Sequence, residues 1–433
     1  MSRYKNLEDS TNQNNIRSEL NSIKGNVSLT SGGDIHLVGT DITAGKSVDL
    51  TGKNVLMDVG EDSKYQKYIS KNKQYGVTVS TSGYAVTAAQ SLEKAARAIE
   101  NHEDKRLSAI YAAQAALNLY SQSRQLANSS SQASQNVTQT ADTNLQKTPV
   151  WKEKASSLVK GKVSLTADSS KQTHEYEQRL QSGTVIHAGE NVNINAKENI
   201  EGKGVDIQGK NINLNAGQDI KFSAAQDMER VKNTDSGSHY GVGVGVNFGG
   251  SQNGFSLELS GSQSKGKENG NSENNTNSII HARDKLNIHS GRDVILTGAE
   301  LQGNRVVADI GRDLLISSLQ DKEDYNSKHT SAGLNASICV PPFCAGSSQV
   351  SGSFSQDKMK SDYASVNEQS GIFAGEGGYD ITVGNHTELT GAVIASEAED
   401  KTRNRLETGT IGFSDIKNKA EYNVSSISVS GGA

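Results

Sequence analysis

The sequence predicts a mainly β protein built as a parallel β-helix, a solenoid of coils of about 20 residues, with β-hairpin excursions and one inserted α-helical hairpin. Apolar triplets return at a fixed interval in residues 183–223: Val192 to Ile212 spans 20 positions, and so does Ile200 to Ile220. Each triplet alternates apolar, polar and apolar residues, so one face of the strand points inward. Gly, Asn and Asp turns separate the triplets. Three short strands per 20 residues indicate one coil, whose inner face the next coil must cover.

Composition supports a thin repeat rather than a large globular core. The 433 residues are only 33% hydrophobic and 5% aromatic, with 43 Gly and 3 Pro. Single rows of Val, Ile and Leu can line a narrow stack, whereas a disordered chain would not keep a 20-residue register. The 44 basic and 49 acidic residues give a net charge of −5 and are mixed along the sequence. Because a nucleic-acid surface needs a basic stripe, we predict no nucleic-acid partner.

The chain has no apolar run long enough for a transmembrane helix, since such a helix needs about 18 residues. Its first ten residues, MSRYKNLEDS, are polar, so no signal peptide is expected in this piece. Two interpretations stay open: a cytosolic protein, or an internal piece of a longer secreted chain.

The repeat divides the chain into four modules, each of about two coils followed by a β-hairpin excursion. Charged segments mark where the chain leaves the coils, as at Ala225–Arg230 before the alternating strand that begins at Tyr240. Phe255 to Ser260 forms the predicted return strand of that excursion. The predicted units are residues 1–24 as a frayed edge, 25–86 as the first part of module one, 87–162 as a helical insertion and linker, 163–182 as the return strand of module one, 183–276 as module two, 277–368 as module three and 369–433 as a degenerate module four.

The insertion in module one differs from the other excursions. Thr87 to Gln90 fits a capping box, and apolar residues from Leu92 to Tyr120 follow helical spacing. Residues 128–147 are rich in Ser, Thr and Gln and indicate a mobile link. We expect this helical hairpin to shield the stack; a dedicated binding lobe is the alternative.

The cysteines, Cys339 and Cys344, flank Val-Pro-Pro-Phe. This spacing suits a small turn closed by a disulfide in an oxidising compartment, and it does not match the CxxC spacing of zinc sites. Two free thiols in a loop remain the alternative.

No catalytic, cofactor-binding or metal-binding residues are predicted. The run Gly241 to Gly250 alternates Gly and Val but lacks a phosphate-loop motif, so it indicates a strand whose glycine face meets another backbone. Asp and Asn before many strands suit turns. No cofactor or small-molecule substrate is therefore expected, although an enzyme on a β-helix scaffold, such as one that acts on polysaccharides, is the competing class.

Two blocks, Gly32 to Ile42 and Gly291 to Leu301, share the pattern G-x-D-[IV]-x-L-x-G-x-[DE]-[IL]. These blocks resemble the haemagglutinin repeats of filamentous haemagglutinin-type exoproteins. The charged segments where the chain leaves the coils, the Tyr-Gly-Val strands and the alanine-rich segment near Tyr111 add to the resemblance. The resemblance is closest to the second repeat region of contact-dependent growth inhibition toxins and related two-partner-secretion adhesins.

That resemblance implies a non-catalytic stalk segment of a secreted or surface-exposed bacterial exoprotein. It implies export through an outer-membrane transporter and contact with the surface or membrane of a neighbouring cell, with a toxin-delivery role in the toxin branch. A fragment of the same family that is not exported is a further alternative.

Overall fold

The computed structural model describes residues 2–82, 159–248 and 252–432. Nearly all of these residues lie in β-strands, which confirms the prediction of a mainly β protein. Among them, a single turn of 3-10 helix covers Lys401–Arg403. The predicted helical hairpin lies outside the described residues. The strands form two sheets, one of 18 short strands and one of 8 long strands.

The 18-stranded sheet, here called the stack, contains only parallel pairings. Its strands are β2 Glu19–Ser22, β3 Val27–Thr30, β4 Ile35–Val38, β5 Asp41–Ala44, β6 Val48–Gly52, β7 Val55–Asp58, β10 Val185–Ala188, β11 Asn191–Ala196, β12 Ile200–Lys203, β13 Asp206–Ala216, β14 Ile220–Ser223, β17 Ser278–Ser290, β18 Val294–Thr297, β19 Ala299–Ile310, β20 Asp313–Ser317, β23 Gly371–Thr390, β24 Val393–Ser396 and β25 Arg405–Ser414.

Aliphatic side chains in the stack lie directly above one another. Val48 pairs with Val192, Val192 with Ile212, Ile212 with Leu286, and Leu286 with Val306. All five side chains are fully buried and belong to one continuous hydrophobic cluster. Each residue covers the apolar surface of the one before it, which is the main stabilising contribution available to so narrow a core.

The sequence also has Val205 20 residues after Val185, a spacing that predicts their pairing, but the structure shifts this pairing by one residue. Val185 lies opposite Asp206, not Val205, because Ile186 takes the buried position and pairs with Ile207. The pleat places neighbouring residues on opposite faces, so Val185 is only half-buried.

A ladder of Asp and Asn side chains runs along the turns of the stack. At each step the side-chain Oδ1 accepts a hydrogen bond from the backbone N–H of the equivalent residue in the next repeat of the stack. The Asp and Asn residues predicted from sequence to suit turns therefore form side-chain hydrogen bonds between successive repeats of the stack. The ladder comprises Asp34, Asn54, Asn199, Asp219, Asp293 and Asp313, with donor–acceptor distances of 3.0–3.3 Å.

The 8-stranded sheet, here called the hairpin sheet, is antiparallel throughout, and its strands are adjacent in chain order. Along the sequence, consecutive strands of this sheet are separated alternately by a segment of the stack and by a connection that joins the two strands directly. Its strands are β1 Ser2–Gln13, β8 Gly60–Ser82, β9 Val159–Ser182, β15 Ala225–Phe248, β16 Gln252–Thr276, β21 Asp321–Gly346, β22 Gln349–Ser365 and β26 Lys419–Gly432.

The N-terminal residues correct an expectation. Residues 1–24 are expected to form a frayed edge, but Ser2–Gln13 form a strand that pairs with β8, and Glu19–Ser22 form a strand that pairs with β5. Every residue of β1 is exposed, so its order comes from backbone pairing that leaves no hydrophobic period in the sequence. The strand β9 also begins at Val159, before the expected start at Val163.

Candidate interaction surface

The outer halves of the hairpin strands carry exposed aliphatic side chains in cross-strand register. Val77 lies opposite Leu165, Leu165 opposite Val242, and Val242 opposite Leu259. Residues directly opposite each other in an antiparallel sheet point to the same face. The face therefore carries a continuous apolar stripe, which comprises Tyr75, Val77, Val163, Leu165, Tyr240, Val242, Val244, Phe255, Leu257, Leu259, Leu334 and Val350.

Burial on this part of the sheet is the reverse of what is usual in a water-soluble sheet. Leu165 and Val77 are 68% and 67% exposed, whereas Ser164 and Ser256 on the opposite face are 4% and 2% exposed. An antiparallel sheet in water normally turns its apolar face to the core and its polar face to solvent. Apolar patches of this kind mark sites of protein or membrane contact.

Small residues on the polar face leave room for its polar side chains to be buried against the sheet. Glu258 is buried and accepts a hydrogen bond from Ser337 Oγ at 2.7 Å, and Ser256 Oγ also donates to it. A Cβ atom on Gly245 would lie 2.7 Å from the Glu258 carboxylate, so the carboxylate occupies space that only glycine leaves free. The Gly/Val alternation of residues 241–245 thus places valine on the apolar face and glycine beneath the polar side chains.

Next to the apolar stripe, toward the stack, the same face carries a basic band. It consists of three rows of cross-strand partners, in which Lys71 lies opposite Lys171 and Lys267 lies opposite Lys328. These rows contain no Asp or Glu within the described strands. The cations of the band are Arg3, Lys5, Lys71, Lys73, Lys171, Lys265, Lys267, Lys328 and Lys358, all exposed.

At the same distance from the stack, the opposite face of the sheet carries negative charge. The rows that alternate with the basic band hold Asp168, Asp235, Glu268 and Asp357, among Ser, Asn and His residues. Within the described strands these rows contain no Lys or Arg. The charges that are mixed along the sequence are therefore separated across the thickness of the sheet, because neighbouring residues of a strand point to opposite faces.

One arrangement on the acidic face resembles a nucleophile with its base. His239 Nδ1 lies 2.6 Å from Asp168 Oδ1, and His239 Nε2 lies 3.1 Å from Ser260 Oγ. The three residues are far apart in the sequence and meet only through the pairing of three strands, so no sequence motif marks them. The group lies on an open sheet face and is half-buried, without the enclosed site and oxyanion donors that acyl transfer requires. We interpret it as a cross-strand polar contact.

The predicted cysteine pair lies near the outer end of β21. Cys339 and Cys344 are joined by a disulfide with a Cα–Cα distance of 5.3 Å. The bridge closes a segment that carries the exposed side chains of Val340 and Phe343, beside the end of the apolar stripe.

In the part of the chain that the structure describes, no group of His, Cys, Asp and Glu is placed to hold a metal ion. Across the same residues, no helix is long and apolar enough to cross a membrane.

These features define a repeat-built protein: short parallel strands stacked in register, interrupted by long hairpin strands that share one sheet. A sequence model described as the hemagglutinin repeat matches residues 1–146 and 163–333. The chain belongs to the hemagglutinin-repeat family, in the filamentous haemagglutinin and contact-dependent growth inhibition group, and this confirms the resemblance found in the sequence.

Several curated proteins are similar over almost the whole chain. The tRNA nuclease CdiA of Escherichia coli (strain NC101) is 38% identical over 438 residues, which cover 98% of this chain and 12% of the relative. The deoxyribonuclease CdiA of Dickeya dadantii (strain 3937) is 38% identical over 423 residues, 96% of this chain and 12% of the relative. The deoxyribonuclease CdiA of Yersinia pseudotuberculosis serotype O:3 (strain YPIII) is 35% identical over 433 residues, 98% of this chain and 38% of the relative.

The chain thus spans 12–38% of the length of these relatives. The nuclease activities in their names are those of the whole relatives. No solved structure matches the chain. The hemagglutinin-repeat region is a structural stalk segment of this class of exoprotein.

Proposed function

We propose that this chain is a non-catalytic stalk segment of an exported contact-dependent toxin-delivery exoprotein, and that the apolar stripe of its hairpin sheet contacts the membrane of a neighbouring cell. The single observation that carries the proposal is the exposed apolar stripe with a buried polar face behind it. An apolar medium removes the cost of exposing such a stripe, since each Å² of apolar surface taken from water stabilises by about 25 cal/mol.

In this proposal the two sheets have different tasks. The parallel pairings with a 20-residue repeat support a β-helical solenoid, which gives the exoprotein its reach. The hairpin sheet presents the contact surface. The helical insertion predicted for residues 87–162 falls between β8 and β9 in the sequence and lies mostly outside the described residues.

Export through an outer-membrane transporter of the two-partner type, with a final location at the bacterial surface or outside the cell, is also part of the proposal. The support is the family membership and similarity to relatives that carry the CdiA name. The competing enzyme on a β-helix scaffold has no metal-holding group of His, Cys, Asp and Glu to support it among the described residues.

Flotation of the full chain with neutral phosphatidylcholine vesicles tests the contact. The stripe variant combines Val77→Asn, Leu165→Asn and Val242→Asn, which lie in one cross-strand row. The matched control combines Ile16→Asn, Ile23→Asn and Val38→Asn, which are exposed but lie outside the hairpin sheet.

We expect the wild type and the control to float with the vesicles, and the stripe variant to stay in the dense fraction with an unchanged circular dichroism spectrum. If the wild type does not float, or if the stripe variant floats as well as the wild type, the membrane contact is wrong and a pure spacer role remains.

The cysteine pair tests export separately. A disulfide persists in an oxidising compartment and is reduced in the cytosol. We expect Cys339 and Cys344 to resist a thiol-reactive label on producing cells until a reductant is added. Labelling of both without reductant would support the alternative of a fragment that is not exported.

A further inference from the structure

The basic band contains two sets of lysines that lie directly opposite one another on adjacent strands. Lys5, Lys71 and Lys171 form the first set, on β1, β8 and β9. Lys267, Lys328 and Lys358 form the second, on β16, β21 and β22. Directly opposed residues in an antiparallel sheet lie about 4.5–5.5 Å apart between Cα atoms, so the lysine stems of each set start side by side.

Such an arrangement destabilises the free sheet. Like charges directly opposite each other on neighbouring strands repel, and no carboxylate interrupts the rows of the basic band. Within the described residues, none of these six lysines forms an ion pair. By contrast, Lys67, one row closer to the stack, lies 3.8 Å from Glu175. An anion that settles across several ammonium groups would relieve this repulsion.

The position of the band identifies the kind of anion. Its outermost row, with Arg3 and Lys73, is two residues from the row with Tyr75 and Tyr240, about 7 Å along the strands. A surface that is apolar, then aromatic, then cationic matches the order of acyl chains, interface and headgroups in a bilayer. Lysine is also a common phosphate binder that acts as a point charge.

We infer that the basic band binds the phosphate groups of anionic lipid headgroups while the apolar stripe faces the acyl region. Both sets of lysines lie on the same face, the first toward the β1 edge of the sheet and the second toward the β26 edge. This inference rests on the membrane contact proposed above and adds a preference for anionic lipid. The acidic face at the same depth fixes the orientation, because Asp168, Asp235 and Asp357 repel the same headgroups.

The test compares partitioning of the full chain onto phosphatidylcholine vesicles with and without phosphatidylglycerol. The band variant combines Lys267→Gln, Lys328→Gln and Lys358→Gln. The matched control combines Lys46→Gln, Lys197→Gln and Lys285→Gln, which removes the same charge from exposed positions at the stack. Each lysine near an anionic surface contributes about fivefold in partitioning, so the band variant should bind phosphatidylglycerol vesicles ~100-fold more weakly.

Binding of the band variant to neutral vesicles should be unchanged, and the control should bind both kinds of vesicle like the wild type. Added salt should remove most of the difference, since the Debye length falls to about 3 Å at 1 M. Equal binding of the wild type to both vesicles overturns the lipid preference and leaves the membrane contact intact. Absence of binding to either overturns both.

Two further outcomes would reassign the band. If inorganic phosphate displaces the wild type from anionic vesicles more strongly than chloride at equal ionic strength, the band is a site for free phosphate. If duplex DNA binds the wild type more tightly than anionic vesicles do, and the band variant loses this binding, the band is a nucleic-acid surface.

Discussion

The stack and the hairpin sheet use the same alternation of apolar and polar residues with opposite results. In the stack, Ile212 is fully buried, whereas Leu165 in the hairpin sheet is 68% exposed. The difference is in what covers the apolar face. The parallel strands of the stack bury their apolar residues in one continuous hydrophobic cluster, while the hairpin sheet is a single layer whose apolar side has no partner within the described chain. Alternation therefore indicates a strand with two unlike faces and leaves open what each face meets.

Truncating one aliphatic residue in each region should give the largest difference in the free energy of unfolding. Ile212→Ala should lower the free energy of unfolding of the stack by about 2–5 kcal/mol, because it opens a cavity between Val192 and Leu286. Leu165→Ala should change the free energy of unfolding by no more than about 0.5 kcal/mol, because this side chain is exposed. Denaturant titration followed by circular dichroism measures both. Similar losses for the two variants would show that the apolar stripe is covered in solution.

Two glycines of the hairpin sheet differ in the space available for a Cβ atom. A Cβ on Gly243 would overlap the Val163 carbonyl oxygen and the Ser164 side chain, so Gly243→Ala should force β9 and β15 apart at a cost of about 1–3 kcal/mol. Gly76→Ala is the matched control, since no atom outside its own chain neighbours lies within 4 Å of the new Cβ. Amide hydrogen exchange across β9 and β15 should speed up in the first variant and stay unchanged in the second. Equal exchange rates in the two variants would contradict the close approach.

The sequence predicts the stack better than it predicts the surface. Pairs such as Val192 with Ile212 follow from a fixed spacing, because each repeat must present the same apolar pattern as the repeat that it pairs with. The strand β1 cannot be predicted from apolar spacing, since its pairing leaves all its side chains exposed.

The basic band is also hidden in the sequence. Lys267, Lys328 and Lys358 are far apart along the chain and meet only through the register of long antiparallel strands. Aligning the hairpin strands from their charged bases would have brought these lysines into one row. The apolar residues of the same strands are visible in sequence, yet their exposure depends on the missing second layer.

We expect the smallest effect from charges: some charges of the stack pair between repeats, as Arg292 does with Asp219 and Arg312 with Asp293, whereas the opposed lysines of the basic band form no ion pair within the described residues. Arg292 donates to both carboxylate oxygens of Asp219, at 3.0 and 2.7 Å. Burial of this carboxyl group raises its pKa, but the hydrogen bonds from Arg292 and the Asp293 N–H outweigh burial, so the pKa lies below its usual value. A lowered pKa in the folded state stabilises the fold above about pH 4, and this contribution is lost as pH falls through the folded-state pKa.

Replacement of this carboxylate by an amide should therefore cost stability at neutral pH only. Asp219→Asn keeps the acceptor for the turn ladder but removes the charge, so we expect a loss of less than about 1 kcal/mol at pH 7 after allowance for solvent screening. The loss should shrink steadily as the pH of the denaturant titration is lowered below 4. Asp284→Asn is the control, because its pairing with Lys210 at 3.6 Å is exposed on both sides and should contribute almost nothing at any pH. A loss for Asp219→Asn that stays constant down to pH 3 would show that shape, and not charge, makes this residue stabilising.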